Sequence, residues 1–228
     1  MRKTNPAGVK KDFIAALDGV ARTLDEVKNS DLLEPTKLLV AESSLLASAV
    51  LWEGFITDLF VANINRDSQR FTANLLSRIE QSVTSKFGPR VAQKVRVALP
   101  KHLRKKDVRS LLDQEDRNLS FETAEKMVDR AKLDLPSGVA ASFTALTGPE
   151  RATIDAWHSI RNFIAHRSQS SEDKMNAQLK GADVPLLLRR GTRKIHDAGS
   201  WLSSDPSRTQ KWRIQHYVST MKSIAQKL

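Results

Sequence analysis

Apolar residues recur at three- and four-residue spacing along most of the chain. Val9, Phe13, Leu17, Val20, Leu24 and Val27 keep this rhythm and predict an amphipathic helix over residues 8–29. Pro35 suits a first helical turn and opens a second helix whose apolar pattern runs to about residue 63. A third is predicted over residues 70–87, stopped by Gly88 and Pro89. Shorter helices follow as far as Pro136, separated by Pro100, Asp107 and the Asn118-Leu119-Ser120 stretch before Phe121. Thr147 with Glu150 three residues on forms a capping box that starts the next long helix. The final helix is expected behind residues 205–207, with Asp205 as cap and Pro206 at its first position. Alternating strand patterns never last beyond a few residues. The expectation is an all-α chain, one antiparallel helical bundle over residues 1–228, in which residues 88–136 elaborate the bundle with short basic helices.

Composition narrows the setting. The 228 residues suffice for a sizeable core, and the absence of cysteine excludes disulfides and thiolate metal sites, which fits a reducing, cytoplasmic location. Basic residues precede apolar ones at the start, but Asp12 and Asp18 interrupt the run a signal peptide needs. Glu53 and Asp58 likewise break the most apolar stretch, which falls short of the uncharged length of about 18–20 residues that a membrane span requires. No membrane partner is therefore expected.

Charge is unevenly spread. The formal net charge is +11, and residues 86–109 hold nine Lys/Arg against one acidic residue, while residues 160–228 hold 13 against five. Clustered positive charge suits a polyanion such as RNA, because neutralising phosphates releases counterions. Lys101, Arg104, Lys105, Lys106 and Arg109 are the candidate backbone contacts, with a solvated basic face as the alternative. Nothing accompanies them that would read bases.

Residues 159–171, SIRNFIAHRSQSS, carry unusual chemistry. Wound at about 100° per residue, Ala156, Trp157, Ile160, Phe163 and Ile164 share one arc, and His158, Arg161, Asn162, Ala165 and His166 share the opposite one. Arg167 would fall in the apolar arc, so the helix is expected to end near His166, before a serine-rich loop. A second irregularity lies on the earlier core helix. Glu53 falls on the apolar face made by Leu46, Ala49, Val50, Ile56 and Phe60. A carboxylate there needs a partner, Arg161 or His166, unless the pair merely fixes helix register.

Arg161, Asn162 and His166 match the R-x-x-x-x-H motif of HEPN domains, whose arginine is often followed by a polar residue. With the acidic residue in VLWEGFITDLF, the chain resembles the larger HEPN proteins of the RiboL-PSP type over residues 35–65 and 148–170. The resemblance implies a helical homodimer and a metal-independent endoribonuclease with no cofactor, commonly a toxin or an anti-phage defence effector. An antitoxin or defence protein would be its partner. Ser168 stands where some of these toxins carry a regulatory tyrosine, so control by modification of that residue is not expected. His166 would take a proton from a ribose 2′-hydroxyl, leaving a 2′,3′-cyclic phosphate and a 5′-hydroxyl. Arg161 would hold the phosphate, and Asn162 would orient the imidazole or a phosphate oxygen. Glu53 and His158 would support them, the second proton carrier coming from the partner chain. His158 lies about 12 Å along the helix from His166, too far to share a metal ion. His102, His196 and His216 are expected to be solvated or structural, and Trp52, Trp201 and Trp212 to lie in the core. The alternative to an enzyme is a catalytically silent HEPN-like dimeric module that binds a nucleotide or a protein.

Overall fold

The computed structural model describes residues 5–100, 102–112 and 118–228. Helix α1 spans Pro6–Lys28, with Pro6 in its first turn and Asn5 as cap, its side chain accepting from the Ala7 N–H at 3.1 Å. The buried side of α1 is Phe13, Leu17 and Leu24, with Val9, Val20 and Val27 packed at the margin. It lies along α2, Glu34–Arg66, the longest helix and the centre of the molecule. Helix α2 passes by length and composition as a membrane span, yet most of its apolar window is buried against neighbouring helices. Helix α3, Gln69–Phe87, ends at Gly88, whose φ of 82° is easy only for glycine, and the short α4 follows at Pro89–Ala92.

The chain continues through α5 (Lys105–Leu112), α6 (Ala124–Asp134) and α7 (Ser137–Thr144). Then come α8 (Gly148–His166), α9 (Gln169–Leu179), α10 (Ala198–Ser203), a 3-10 turn at Pro206–Arg208, and α11 (Arg213–Lys227). Among the described residues no strand occurs, so the chain is all-α. Helices α1, α8 and α11 pack on α2, and α9 folds back on α8.

Aromatic contacts set the register of α8 on α2. Trp157 meets Trp52 edge to face with ring centroids 5.0 Å apart, and Phe13 stacks on Phe55 at 4.4 Å in the same cluster. Trp52 immediately precedes Glu53, and Trp157 lies one turn before Arg161, so this packing carries the two charged residues toward each other. The basic segment is tied to α2 as well. Leu103 and Val108 are buried, Asn65 donates to the Leu103 carbonyl at 2.8 Å, and the Leu119 N–H donates to Thr57 Oγ1 at 2.7 Å.

Four local expectations differ from the structure. Asp107 does not separate helices; it sits in the first turn of α5 and accepts from the Arg104 backbone N–H at 3.0 Å. Residues 168–171 are not a loop but the start of α9. Ser168 Oγ accepts from the Ser171 N–H, and Ser171 Oγ from the Ser168 N–H, both at 3.2 Å, so the serines that suggest a loop cap a helix. Asp205 precedes only one 3-10 turn, without a side-chain cap to its first amides, and accepts instead from the Thr209 N–H beyond the turn at 2.7 Å. Positive φ at Arg208 and Gln210 then turns the chain, and α11 starts eight residues after Asp205, where Gln215 accepts from the Trp212 N–H at 2.7 Å. Val50, placed by periodicity on the apolar face of α2, is 56% exposed.

Candidate functional site

The capping box of α8 forms as its sequence requires: Glu150 accepts from the Thr147 N–H at 2.9 Å and Thr147 accepts from the Glu150 N–H at 3.4 Å. At the other end Arg167 adopts φ 49°, which stops the helix at His166, and the chain enters α9 after only Arg167 and Ser168. His166 is exposed at this corner.

Arg161 and its neighbours point in two directions. Counted from Arg161, His158, Asn162, Asp155, His166 and Ser159 occupy the arc from about 60° to 160°, while Trp157 lies about 40° to the other side. Arg161 therefore stands on the border and leans toward α2, where Nη2 lies 3.8 Å from Glu53 Oε1. Its Nη1 donates to Asn162 Oδ1 at 3.0 Å. Both members of the ion pair are part-buried, their side chains 31% and 21% exposed, so the carboxylate is shielded and paired but not sealed in the core. Of the two candidate partners for Glu53, Arg161 takes the position.

The remaining polar arc lines a groove of about 800 Å³ between α8, α9 and the chain leading into α6. His158, Asn162 and His166 face it from α8, Ser171 and Lys174 from α9, and Glu122 from the third wall. His158 is held in place: Nδ1 lies 3.1 Å from the Glu122 carbonyl oxygen, which fits a Nδ1–H donor and leaves Nε2 free. His166 has no comparable restraint among the described residues. Asp155 also borders the groove and accepts from the Ala124 N–H at 2.6 Å, tying α8 to the start of α6. Burial pushes the Asp155 carboxyl above the ordinary range, Ala124 and His158 pull it back, and Glu125 adds to the rise. Glu122 is held low by its hydrogen bond to Lys126. The groove thus has an amide-and-imidazole end near His166, and at the other end the Asp155 carboxylate beside His158, with Glu122 paired to Lys126 and acted on by Lys174.

The predicted RNA contacts fare unequally. Lys101 lies outside the described residues. Arg104 forks onto Asp107 at 2.9 and 3.2 Å, and Arg109 reaches Asp58 at 3.3 Å and Asn118 at 3.4 Å. These two arginines hold the segment on itself and on α2, which leaves Lys105 and Lys106 exposed. Trp52 and Trp212 are core, and Trp201 is part-buried under the Arg213 guanidinium at 3.7 Å. His196 pairs with Glu172 at 2.7 Å, His216 with Thr209 at 3.0 Å, and His102 is exposed.

Sequence reasoning missed Asp155, Glu122 and Lys174. Asp155 was reachable, since it lies three residues before His158 on the same arc. Lys174 needed α9 to be seen as a helix. Glu122 arrives from a distant segment without a local signal.

No protein-family model matches this chain, and neither does any curated protein or any solved structure.

Proposed function

We propose that this chain is a metal-independent endoribonuclease of the HEPN kind. The observation that carries the reading is the groove itself, in which Asn162 and His166 of the R-x-x-x-x-H stretch open onto a single polar cleft. That cleft lies in the range of about 300–1,000 Å³ typical of ligand sites. His166, exposed and without a hydrogen-bond partner among the described residues, is the general base on a ribose 2′-hydroxyl. The 2′-oxygen attacks the adjacent phosphorus, the P–O5′ bond breaks, and the products are a 2′,3′-cyclic phosphate and a 5′-hydroxyl. Asn162 donates its amide to a phosphate oxygen, its Oδ1 being occupied by Arg161. Arg161 flanks the groove and keeps Asn162 oriented, and its guanidinium offsets charge on the phosphate when it swings from Glu53.

The leaving 5′-oxygen needs a proton. His158 shares the groove but lies about 12 Å along the helix axis from His166, so the acid is assigned to a second copy of the chain paired about a two-fold axis. The working unit is then a homodimer acting in the cytoplasm as a toxin or defence effector under a partner protein's control. Cleavage of RNA by purified protein in EDTA, lost in His166→Ala, tests the reading; metal dependence or undiminished cutting by the variant removes it.

One observation favours the second reading, a silent module that binds a nucleotide or a protein: Arg161 is engaged by Glu53 and Asn162 and does not line the groove. Under that reading the groove binds nucleotides but RNA stays intact.

A further inference from the structure

We propose that the Asp155 end of the groove is a base-recognition subsite and that the base it takes is guanine. The proposal relies on the endoribonuclease reading for the position of the phosphate, at Asn162 and His166, while its test does not require cleavage.

The groove is too long for a phosphate alone. From Asn162 back to Asp155 the α8 axis runs about 10 Å, roughly the reach of one nucleotide from its 3′-phosphate to the outer edge of its base. His166 and Asn162 offer an imidazole and an amide donor at one end. The other end holds the Asp155 carboxylate in the wall with Glu125 close enough to act on it, while Glu122 at the rim is already paired with Lys126 and acted on by Lys174. Asp155, whose one hydrogen bond comes from a backbone N–H, is the carboxylate left to a ligand, and it favours an edge made of N–H donors over a second phosphate.

Asp155 is built to receive such an edge. The Ala124 N–H at 2.6 Å occupies one acceptor position of Oδ1 and fixes the carboxylate, and a carboxylate offers about four such positions. His158, pinned by the Glu122 carbonyl, forms the wall beside it. Partial burial raises the value of each hydrogen bond made to the carboxylate, and the same burial lifts its proton affinity.

Base chemistry then selects one ligand. Guanine alone presents two adjacent donors, N1–H and the 2-amine, which match the two oxygens of a carboxylate. Adenine and cytosine each place a ring-nitrogen acceptor beside their amine, and uracil flanks its single N–H with two carbonyls. Each of these turns at least one lone pair toward the carboxylate. A nucleotide bound this way carries its 3′-phosphate to Asn162 and His166, so cleavage follows guanosine.

Equilibrium titration of the full chain with 3′-GMP, 3′-IMP, 3′-AMP, 3′-CMP and 3′-UMP tests this. Inosine lacks only the 2-amine, so the comparison of 3′-GMP with 3′-IMP needs no variant protein. The expected result is at least about tenfold tighter binding of 3′-GMP, the scale of one charge-assisted hydrogen bond. Asp155→Asn abolishes that preference, while His166→Ala weakens all five ligands and keeps it. Equal binding of 3′-GMP and 3′-IMP, no binding of any of them, or a preference that survives Asp155→Asn overturns the proposal. A guanine preference without RNA cleavage leaves the subsite standing and removes the ribonuclease reading. Cleavage with equal mononucleotide binding does the reverse.

Discussion

The Arg161 guanidinium spans from Glu53 on α2, 3.8 Å away, to Asn162 on its own helix, 3.0 Å away. The contact links the core interface of α2 and α8 to the groove. Because both partners keep some solvent contact, their coupling is modest, about 1 kcal/mol. Glu53→Gln and Arg161→Ala are each expected to lower stability, and the double variant to lose less than the sum. Urea unfolding of the four chains measures this; strict additivity would show that the pair is not coupled.

The cap of α9 decides the shape of the groove, since Ser168 anchors the turn after His166. Ser168→Ala is expected to cost about 1 kcal/mol and to speed hydrogen exchange at the first α9 amides while leaving α11 unchanged. Unchanged exchange at these amides would mean that Arg167 alone sets the turn.

That serine cap also shows where the sequence stops being legible. The apolar rhythm of α1, α2 and α3 and the Thr147–Glu150 box are local properties, and all appear in the structure with boundaries shifted by a few residues. Serine serves loops and helix caps alike, so residues 168–171 have two meanings until α9 is seen packing on α8. Glu53 was conspicuous as a charge on an apolar face, but the choice between Arg161 and His166 depended on the rotation of α8 about its axis. The Glu122 carbonyl beside His158 comes from docking of the segment before α6, which no local pattern encodes.

Asp155 gives a pH signature. Burial raises its folded-state pKa above the unfolded value of about 3.9, so the native state keeps a proton that the unfolded chain has released. This contribution falls away as pH rises through the folded pKa, and the ionised group thereafter destabilises the fold. Its neighbours are His158 on α8, Glu125 on α6 and the Ala124 N–H. Asp155→Asn is therefore expected to gain in Tm relative to the parent chain between pH 4 and neutrality, by thermal unfolding across a pH series. A Tm difference that does not change with pH would contradict the assignment.

The basic segment divides into two kinds of residue. Lys105→Glu with Lys106→Glu is expected to weaken RNA binding and to flatten its salt dependence with little change in Tm. Arg109→Glu faces Asp58 with like charge and is expected to lower Tm. Filter binding over a salt series and thermal unfolding separate them. An unchanged salt slope in the double lysine variant would assign these charges to a solvated face.

The central claim is that a ribose 2′-hydroxyl is activated in the groove at His166. The most direct measurement uses an RNA that the purified protein cuts in EDTA, compared with the same RNA carrying one 2′-deoxy nucleotide at the cut position. The account predicts that cutting there stops, and that the all-ribose products end in 2′,3′-cyclic phosphate and 5′-hydroxyl. Continued cutting at the 2′-deoxy position, or 5′-phosphate ends, would contradict it.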